Sequence, residues 1–281
     1  MLNTLLKNAY YLSLPVVFGA VLSHKAAARL SGVDSLHWAT PIILALAVWV
    51  IYTVDRLLDV RKPGFPPTPR HLFHRNHALV LWQAVGVAAL LALILTFWLP
   101  VAVLKFGAVL FLICGLYMGL VFKLPAHHPA LLLKEPLVAL LYSAGVWGSV
   151  WTQRPAIGWV DMTEAAMFAA IAFQNLLLFS IMEIQEKPRQ TSFSIATALG
   201  PSFSDMILRW LTFIVGIAAM IICFTNNDPG GGPRFAQRLA IMLAIMSTVL
   251  YVIQRYPAYY LRHERYRWLG DAVFWLPALV L

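Results

Sequence analysis

The sequence predicts an all-α, multi-pass membrane protein with about nine transmembrane helices. Apolar residues make up 60% of the 281 positions, and the mean hydropathy is +0.75, well above that of an ordinary soluble domain. Only 12% of the residues are charged, and they cluster between long apolar runs. A helix needs about 20 mostly apolar residues to cross a bilayer. Runs of this kind recur along the whole chain.

Nine apolar runs are predicted to be spans. The first is short, and the last reaches the final residue while carrying Asp271. The seven runs between them are interrupted by charged, proline-rich or glycine-rich loops. The predicted spans are 9–23, 38–54, 78–98, 100–122, 136–152, 163–182, 206–224, 236–254 and 268–281.

The basic residues predict how these spans are oriented. With nine spans, fifteen of the 21 Lys and Arg residues fall on the side of the N-terminus and six on the other side. Loops rich in Lys and Arg stay in the cytoplasm. We therefore expect a cytoplasmic N-terminus, an external C-terminus and a bacterial inner membrane location. The same rule accounts for the net charge of +9 without nucleic acid as a partner.

An acidic pair closes the second predicted span. Asp55 and Asp59 lie four residues apart, where the apolar run 38–54 meets water. Residues at this spacing share one helix face, with Cβ atoms about 5–6 Å apart. Mg2+ binds one or two protein carboxylates and often completes its shell with phosphate oxygens. The alternative is a pair of helix-end acids that are solvated or held by Arg56.

A second acidic pair closes the sixth span, four helices later. Glu183 and Glu186 share a helix face on the same predicted side as the first pair. Recurrence after four helices indicates a single domain, 1–281, built from two pseudo-repeat halves, about 1–135 and 136–281. It also predicts a cleft with acids on both sides. The alternative is that these acidic residues are ordinary helix-end residues with no shared function. Asn175, inside this span, needs a hydrogen-bond partner in the membrane.

Histidines recur every third residue after the proline-rich loop that follows the second span, at His71, His74 and His77. Helix-borne metal ligands more often lie four residues apart and need a carboxylate or thiolate as well. The preferred interpretation is a basic segment at the membrane interface, and the alternative is a metal-binding face.

Two more charged pairs have local interpretations. Lys134 either forms an ion pair with the adjacent Glu135 or is a cation directed at a phosphate. Asp271 is costly inside the last span unless it is paired, and Arg267 lies four residues earlier. We expect Arg267 to pair with Asp271.

These motifs resemble the UbiA superfamily of intramembrane prenyltransferases. The first motif of that family reads Asn-Asp-x-x-Asp-x-x-x-Asp, and residues 55–59 match its last five positions, with the common Arg at Arg56. Ile51 and Tyr52 stand where the family has Asn-Asp. The segments 117–123 and 134 are similar to the basic pattern of its loop 4–5.

The second family motif is an Asp-x-x-x-Asp followed by a run of small residues that ends in Leu-Gly. The segment 194–200 is similar to that ending. Counting back from it places Glu183 on the first acid and Lys187 on the second, with Glu186 adjacent. Lys187 would then contact a phosphate directly.

The resemblance implies a nine-helix bundle with a central cavity open to the cytoplasmic side. It also implies Mg2+-dependent transfer of a prenyl group from a polyprenyl diphosphate to a small aromatic acceptor within the bilayer. No protein partner is implied. The residues carried over as catalytic and metal-binding are Asp55, Asp59, Glu183 and Glu186. Those carried over as diphosphate-binding are Arg56, Arg61, Lys62, Lys123, Lys134 and Lys187.

The prenyl tail would lie along apolar helix walls, and aromatic rings would stabilise a carbocation by cation–π attraction. Tyr52, Tyr117 and Tyr142 are candidates for that role by position. Two alternative functions remain open. One is a catalytically degenerate relative that binds an isoprenoid or lipid without turnover, as the missing Asn-Asp and Lys187 suggest. The other is a small transporter with interfacial acids.

Overall fold

The structure is a computed structural model that describes residues 2–33, 36–61, 69–125, 128–154, 156–186, 193–225 and 235–281. These residues are helical throughout, connected by short turns, and contain no strand. The α-helices are α1 (Leu2–Tyr11), α2 (Leu14–Leu30), α3 (Ala39–Asp59), α4 (Pro69–Asn76), α5 (Ala78–Leu95), α6 (Val101–Lys123), α7 (Lys134–Ser143), α8 (Ser149–Trp151), α9 (Trp159–Glu186), α10 (Ile195–Leu199), α11 (Pro201–Thr225), α12 (Phe235–Arg255), α13 (Pro257–Tyr260) and α14 (Arg265–Ala272).

Short helical segments of other types extend several of these helices. The 3-10 segment Thr96–Trp98 continues α5, and Pro129–Leu133 leads into α7. A π-helical turn, Ala144–Gly148, joins α7 to α8. The 3-10 segment Val273–Val280 continues α14 and is called the C-terminal segment below.

Seven helical stretches in the described part of the chain are long and apolar enough to cross a membrane, so the chain is a multi-pass membrane protein. Each overlaps one of the predicted spans two to eight. They are Ala39–Asp59, Ala78–Trp98, Val101–Lys123, Pro129–Trp151, Trp159–Glu186, Pro201–Thr225 and Phe235–Arg255.

The first and last predicted spans are built differently from the others. Ser13 adopts a left-handed conformation with φ of 57°, which separates α1 from α2, so the predicted run 9–23 crosses a break. Pro15 then lies in the first turn of α2, where its missing N–H costs no hydrogen bond. The last predicted span consists of the end of α14 and the C-terminal segment. Neither α2 nor α14 reaches 18 residues.

Helix α9 lies at the centre of the bundle. In its most apolar window 61% of residues are buried, against 17% for α5 and 11% for α6. The core draws on α2, α9, α11 and α12, and the buried residues of α5 and α6 lie outside it. The exposed apolar faces of α5 and α6 are suited to lipid.

Helix α2 packs closely against the C-terminal segment at Gly19. A Cβ at Gly19 would lie 2.7 Å from the Cβ of Phe274, so only glycine fits this contact. Ser23, one turn further along α2, donates a hydrogen bond to the carbonyl oxygen of Phe274 at 3.3 Å. The beginning and the end of the chain are therefore neighbours in the bundle.

Candidate functional site

The acidic ends of α3 and α9 lie at the same end of the bundle, called the motif end below. Arg56 on α3 connects them, because it lies within electrostatic range of Asp55 and Asp59 on its own helix and of Glu183 on α9. Its guanidinium is 3.8 Å from the Asp59 carboxylate. The two acidic pairs that the sequence analysis singled out thus belong to one polar region.

Asp55 and Asp59 line a narrow crevice between α3 and α6. Tyr117 lies on the α6 side of this crevice and within electrostatic range of both carboxylates. Apolar side chains complete the lining, namely Leu58, Met118, Val121 and Phe122. Two carboxylates therefore face a crevice with apolar walls.

Glu183 and Glu186 are instead bound to α14. Arg267 donates a hydrogen bond from Nη2 to Glu183 Oε1 at 2.7 Å and another from Nε to the Tyr266 hydroxyl at 2.9 Å. Tyr266 in turn donates to Glu186 Oε2 at 2.9 Å. Burial raises the pKa of Tyr266, so the phenol keeps the proton that it donates. Burial alone would lower the pKa of Arg267, but the Glu183 carboxylate raises it above its usual value.

Two buried guanidinium groups and one half-buried one, that of Arg56, meet at this end. Arg70 on α4 is 9% exposed and Arg267 is 7% exposed, and Arg56 lies within electrostatic range of both. Burial, followed by repulsion from Arg56, lowers the pKa of Arg70. The ring of Tyr10 lies 5.9 Å from the Arg70 guanidinium. Three cations drawn from α3, α4 and α14 make this region attractive to an anion.

The sequence predicts a basic interfacial segment at the histidines of α4, and two of these three side chains are buried in the protein. His71 is 6% exposed and His74 is 1% exposed, whereas His77 is exposed. Burial, together with Arg56 and Arg70, lowers the pKa of His71 to about 3. His71 is therefore neutral at physiological pH.

The expected pairing of Asp271 with Arg267 is corrected by the structure, because Arg267 forms its ion pair with Glu183. Asp271 accepts a hydrogen bond from the Asn175 side chain of α9, so Asn175 has one of the partners that it was predicted to need, and its buried Oδ1 has none among the described residues. Gly270 permits this approach, since a Cβ there would lie 2.5 Å from Asn175 Oδ1.

Two of the three tyrosines predicted to stabilise a carbocation, Tyr52 and Tyr142, lie near Asp271. Tyr52 and Tyr142 are both within electrostatic range of its carboxylate, and they interact with each other. The ring of Tyr142 stacks on Phe168 at 5.7 Å and meets Phe274 edge-on. Together with Tyr117 in the crevice, these rings form an aromatic zone beside the charged groups.

The predicted diphosphate-binding residues are only partly brought together. Arg56 lies inside the polar region, but Arg61 is exposed and covers the ring of Trp82 at 5.3 Å. Lys123, the last residue of α6, is exposed, and Lys134 begins α7. Lys62 and Lys187 lie outside the described residues.

Glu135 has a role that the sequence analysis did not assign. Its buried carboxylate accepts a short hydrogen bond from Ser180 Oγ and one from the backbone N–H of Ile195 at 2.9 Å. It thereby ties α7 to α9 and to the first turn of α10. This arrangement differs from a simple ion pair between Glu135 and Lys134.

Arg70 and Arg267 are the functional candidates that the sequence analysis missed. Arg70 was counted only as a basic residue near the interface, and Arg267 was assigned to Asp271 and not to the motif end. The available signal was that each lies within a short helix, α4 or α14, that flanks an apolar span. Within the described residues, no group of three or more His, Cys, Asp or Glu side chains is arranged to hold a metal ion.

No protein-family model, no curated protein and no solved structure matches this chain.

Proposed function

We propose that this chain is a UbiA-like prenyltransferase that moves a prenyl group, within the bilayer and with Mg2+, from a polyprenyl diphosphate to a small aromatic acceptor. The observation that carries the proposal is the meeting of acids and buried arginines from α3, α4, α9 and α14 at one end of an apolar bundle. A diphosphate needs the charged end, and a prenyl chain needs the apolar walls.

The proposal includes nine spans in two pseudo-repeat halves. Helix α2 has 17 residues and a length of about 26 Å at 1.5 Å per residue. Helix α14 and the C-terminal segment together reach about 28 Å, since 3-10 turns rise about 2 Å per residue. Both lengths approach the hydrocarbon thickness of about 30 Å. Their contact at Gly19 supports a shared position across the bilayer.

Asp55 and Asp59 are the residues that would hold Mg2+. They lie on one crevice, and Mg2+ commonly uses only one or two protein carboxylates alongside phosphate oxygens. When bound there, Mg2+ would neutralise charge on the diphosphate leaving group. Glu183 and Glu186 already accept hydrogen bonds from Arg267 and Tyr266, so their proposed role is to position these two side chains.

The remaining side chains are proposed to bind the diphosphate, to stabilise the allylic cation and to exclude water. Arg56, Arg70 and Arg267 attract and orient the diphosphate from the α14 side of α3, and their burial strengthens that attraction. Tyr52 and Tyr142 offer ring faces to a developing allylic cation. The apolar walls around the crevice keep water from competing with the acceptor.

The test is binding of geranylgeranyl diphosphate to the purified protein, with Mg2+ and with chelator. We expect chelation, Asp55→Asn and Asp59→Asn each to weaken binding at least about tenfold, equivalent to about 1.4 kcal/mol. Asp205→Asn is the matched control, because Asp205 also lies in an apolar span near this end but is held by Arg209 and Gln254. Binding that ignores Mg2+ and both substitutions would contradict the proposed metal site.

A second candidate is an isoprenoid-binding protein without turnover. It is favoured by the contacts of Glu183 and Glu186 with the chain's own Arg267 and Tyr266, because Glu183 is already paired with a cation and Glu186 already accepts a hydrogen bond. Release of inorganic diphosphate in the presence of a panel of aromatic acceptors separates the two. Tight binding without any release would favour the second candidate.

A further inference from the structure

A second polar centre lies at the opposite end of the bundle, where α2 ends and α9 begins. Asp161, in the first turn of α9, accepts hydrogen bonds from Ser31 Oγ at 2.6 Å, Arg154 Nη1 at 2.7 Å and the Gly158 N–H at 3.0 Å. Arg154 is partly exposed, with 31% of its side chain accessible. Asp161 is therefore a buried carboxyl group with three hydrogen-bond donors, one of which, Arg154, reaches the surface.

Glu164 lies one turn deeper and has none of these partners. Its side chain is 0% exposed, and neither carboxyl oxygen has a hydrogen-bond partner among the described residues. The charged group that acts on it is Asp161, and Arg154 is already committed to Asp161. A second negative charge beside Asp161, buried and without donors, would be strongly unfavourable.

An aromatic cluster that includes Phe168, one turn after Glu164 on α9, carries unused hydrogen-bonding capacity. Phe168, four residues after Glu164 and on the same face of α9, lies 6.4 Å from the ring of Trp147, which is 6.3 Å from Trp151. The indole N–H groups of Trp147 and Trp151 have no partner in the described part of the chain.

Helix α2 contributes a further titratable group. His24 is 0% exposed, and its Nδ1 faces the carbonyl oxygen of Val146 at 2.8 Å. Nδ1 must therefore carry the proton, which leaves Nε2 as an acceptor with no partner among the described residues. Lys25 and Arg29 on α2 and Arg238 on α12 are charged and exposed.

We propose that Glu164 is a proton-binding site within the bundle, loaded and unloaded through Asp161. The Glu164 carboxylate takes a proton from a hydronium ion, giving a carboxylic acid and water, and the reverse step releases it. Asp161 is the polar group between Glu164 and the surface, so it is the proposed route. This site is independent of the prenyl transfer proposed for the motif end.

Infrared spectroscopy of the purified protein tests the site directly. A buried carboxylic acid has a carbonyl absorption that a carboxylate lacks, and we expect this band at neutral pH in the wild type and in Asp161→Asn. Glu164→Gln, which keeps the shape but cannot hold the acid proton, should remove the part of this band that Glu164 contributes; Glu135 and Asp271 are also buried carboxyl groups that can absorb there. A spectrum unchanged by Glu164→Gln would overturn the assignment.

The route is tested by transfer into D2O, which shifts the same band as the acid proton exchanges. We expect exchange in Asp161→Asn to be at least about tenfold slower than in the wild type. An unchanged rate would exclude Asp161 as the route.

The pH dependence of stability gives an independent readout. If the folded protein holds a proton on Glu164 that the unfolded chain releases above about pH 4.3, wild-type stability falls as pH rises above that value. Glu164→Gln removes this loss, so its melting temperature should exceed that of the wild type by a margin that grows between pH 5 and pH 9. A difference that is constant with pH would contradict the proposal.

Discussion

At the scale of single residues, the contact between Arg267 and Glu183 decides how the motif end is held together. The pair joins α14 to α9 across 84 positions of sequence, and Arg267 also supports Tyr266 and, at 3.8 Å, Glu264. Its side chain is 8% exposed, so loss of its charge would leave several acidic groups poorly compensated. Removing one partner of such a buried pair is destabilising.

We expect Arg267→Gln to lower the free energy of unfolding by about 2 kcal/mol, less than the roughly 3–5 kcal/mol for a fully buried pair, because Glu183 is partly exposed. Glu183→Gln should cost less. The double variant should be more stable than the sum of the two single effects predicts, by about 1–3 kcal/mol. Chemical unfolding of the four proteins in detergent measures this, and additive effects would mean that the pair contributes little.

At the scale of helices, sequence reasoning located the spans but did not show which ones form the core. The apolar runs predicted seven helices well, because length and hydropathy are sufficient to identify a span. Yet α5 has a mean hydropathy of 2.5 and is 17% buried, whereas α9 has 1.9 and is 61% buried. Lipid-facing and core-facing side chains are both apolar, so hydropathy does not separate them.

The sequence also predicted the positions of the acidic residues in the candidate site, but not the contacts between its helices. The spacing of Asp55 and Asp59 placed both carboxylates at the end of one helix, which follows from helix geometry alone. The pairing of Arg267 with Glu183 did not follow, because a local rule favoured Asp271 four residues away. The partner of Arg267 depends on how α14 packs against α9. The sequence pattern within either helix does not predict this packing.

The packing of α2 on the C-terminal segment can be tested with two glycines. Gly19→Ala places a Cβ 2.7 Å from the Cβ of Phe274, so the helices must separate or shift. We expect a loss of about 1–3 kcal/mol in the free energy of unfolding. Gly86→Ala in α5 is the matched control: nothing lies within 4 Å of its Cβ, and alanine favours the helix by up to about 1 kcal/mol. Equal effects at the two glycines would contradict the close approach of α2.

At the scale of the whole molecule, the positions of the basic residues and of the polar centres predict one orientation in the membrane. The motif end carries most of the Lys and Arg residues and should face the cytoplasm. The opposite end, with Asp161 and Glu164, should then face outward. Helix α1, with Lys7, lies at the motif end because Tyr10 contacts Arg70, and α2 runs from there to Ser31 beside Asp161 at the opposite end.

Cysteine labelling in intact and permeabilised cells tests this orientation, in a background where Cys114 and Cys223 are replaced by alanine. We expect a membrane-impermeant thiol reagent to label Ile157→Cys, at the opposite end, in intact cells. Lys7→Cys and Arg75→Cys, which also substitute exposed residues, should react only after permeabilisation. Labelling of Arg75→Cys but not Ile157→Cys in intact cells would reverse the orientation. Labelling of Lys7→Cys together with Ile157→Cys would mean that α2 does not cross the membrane, which would remove the first of the nine proposed spans.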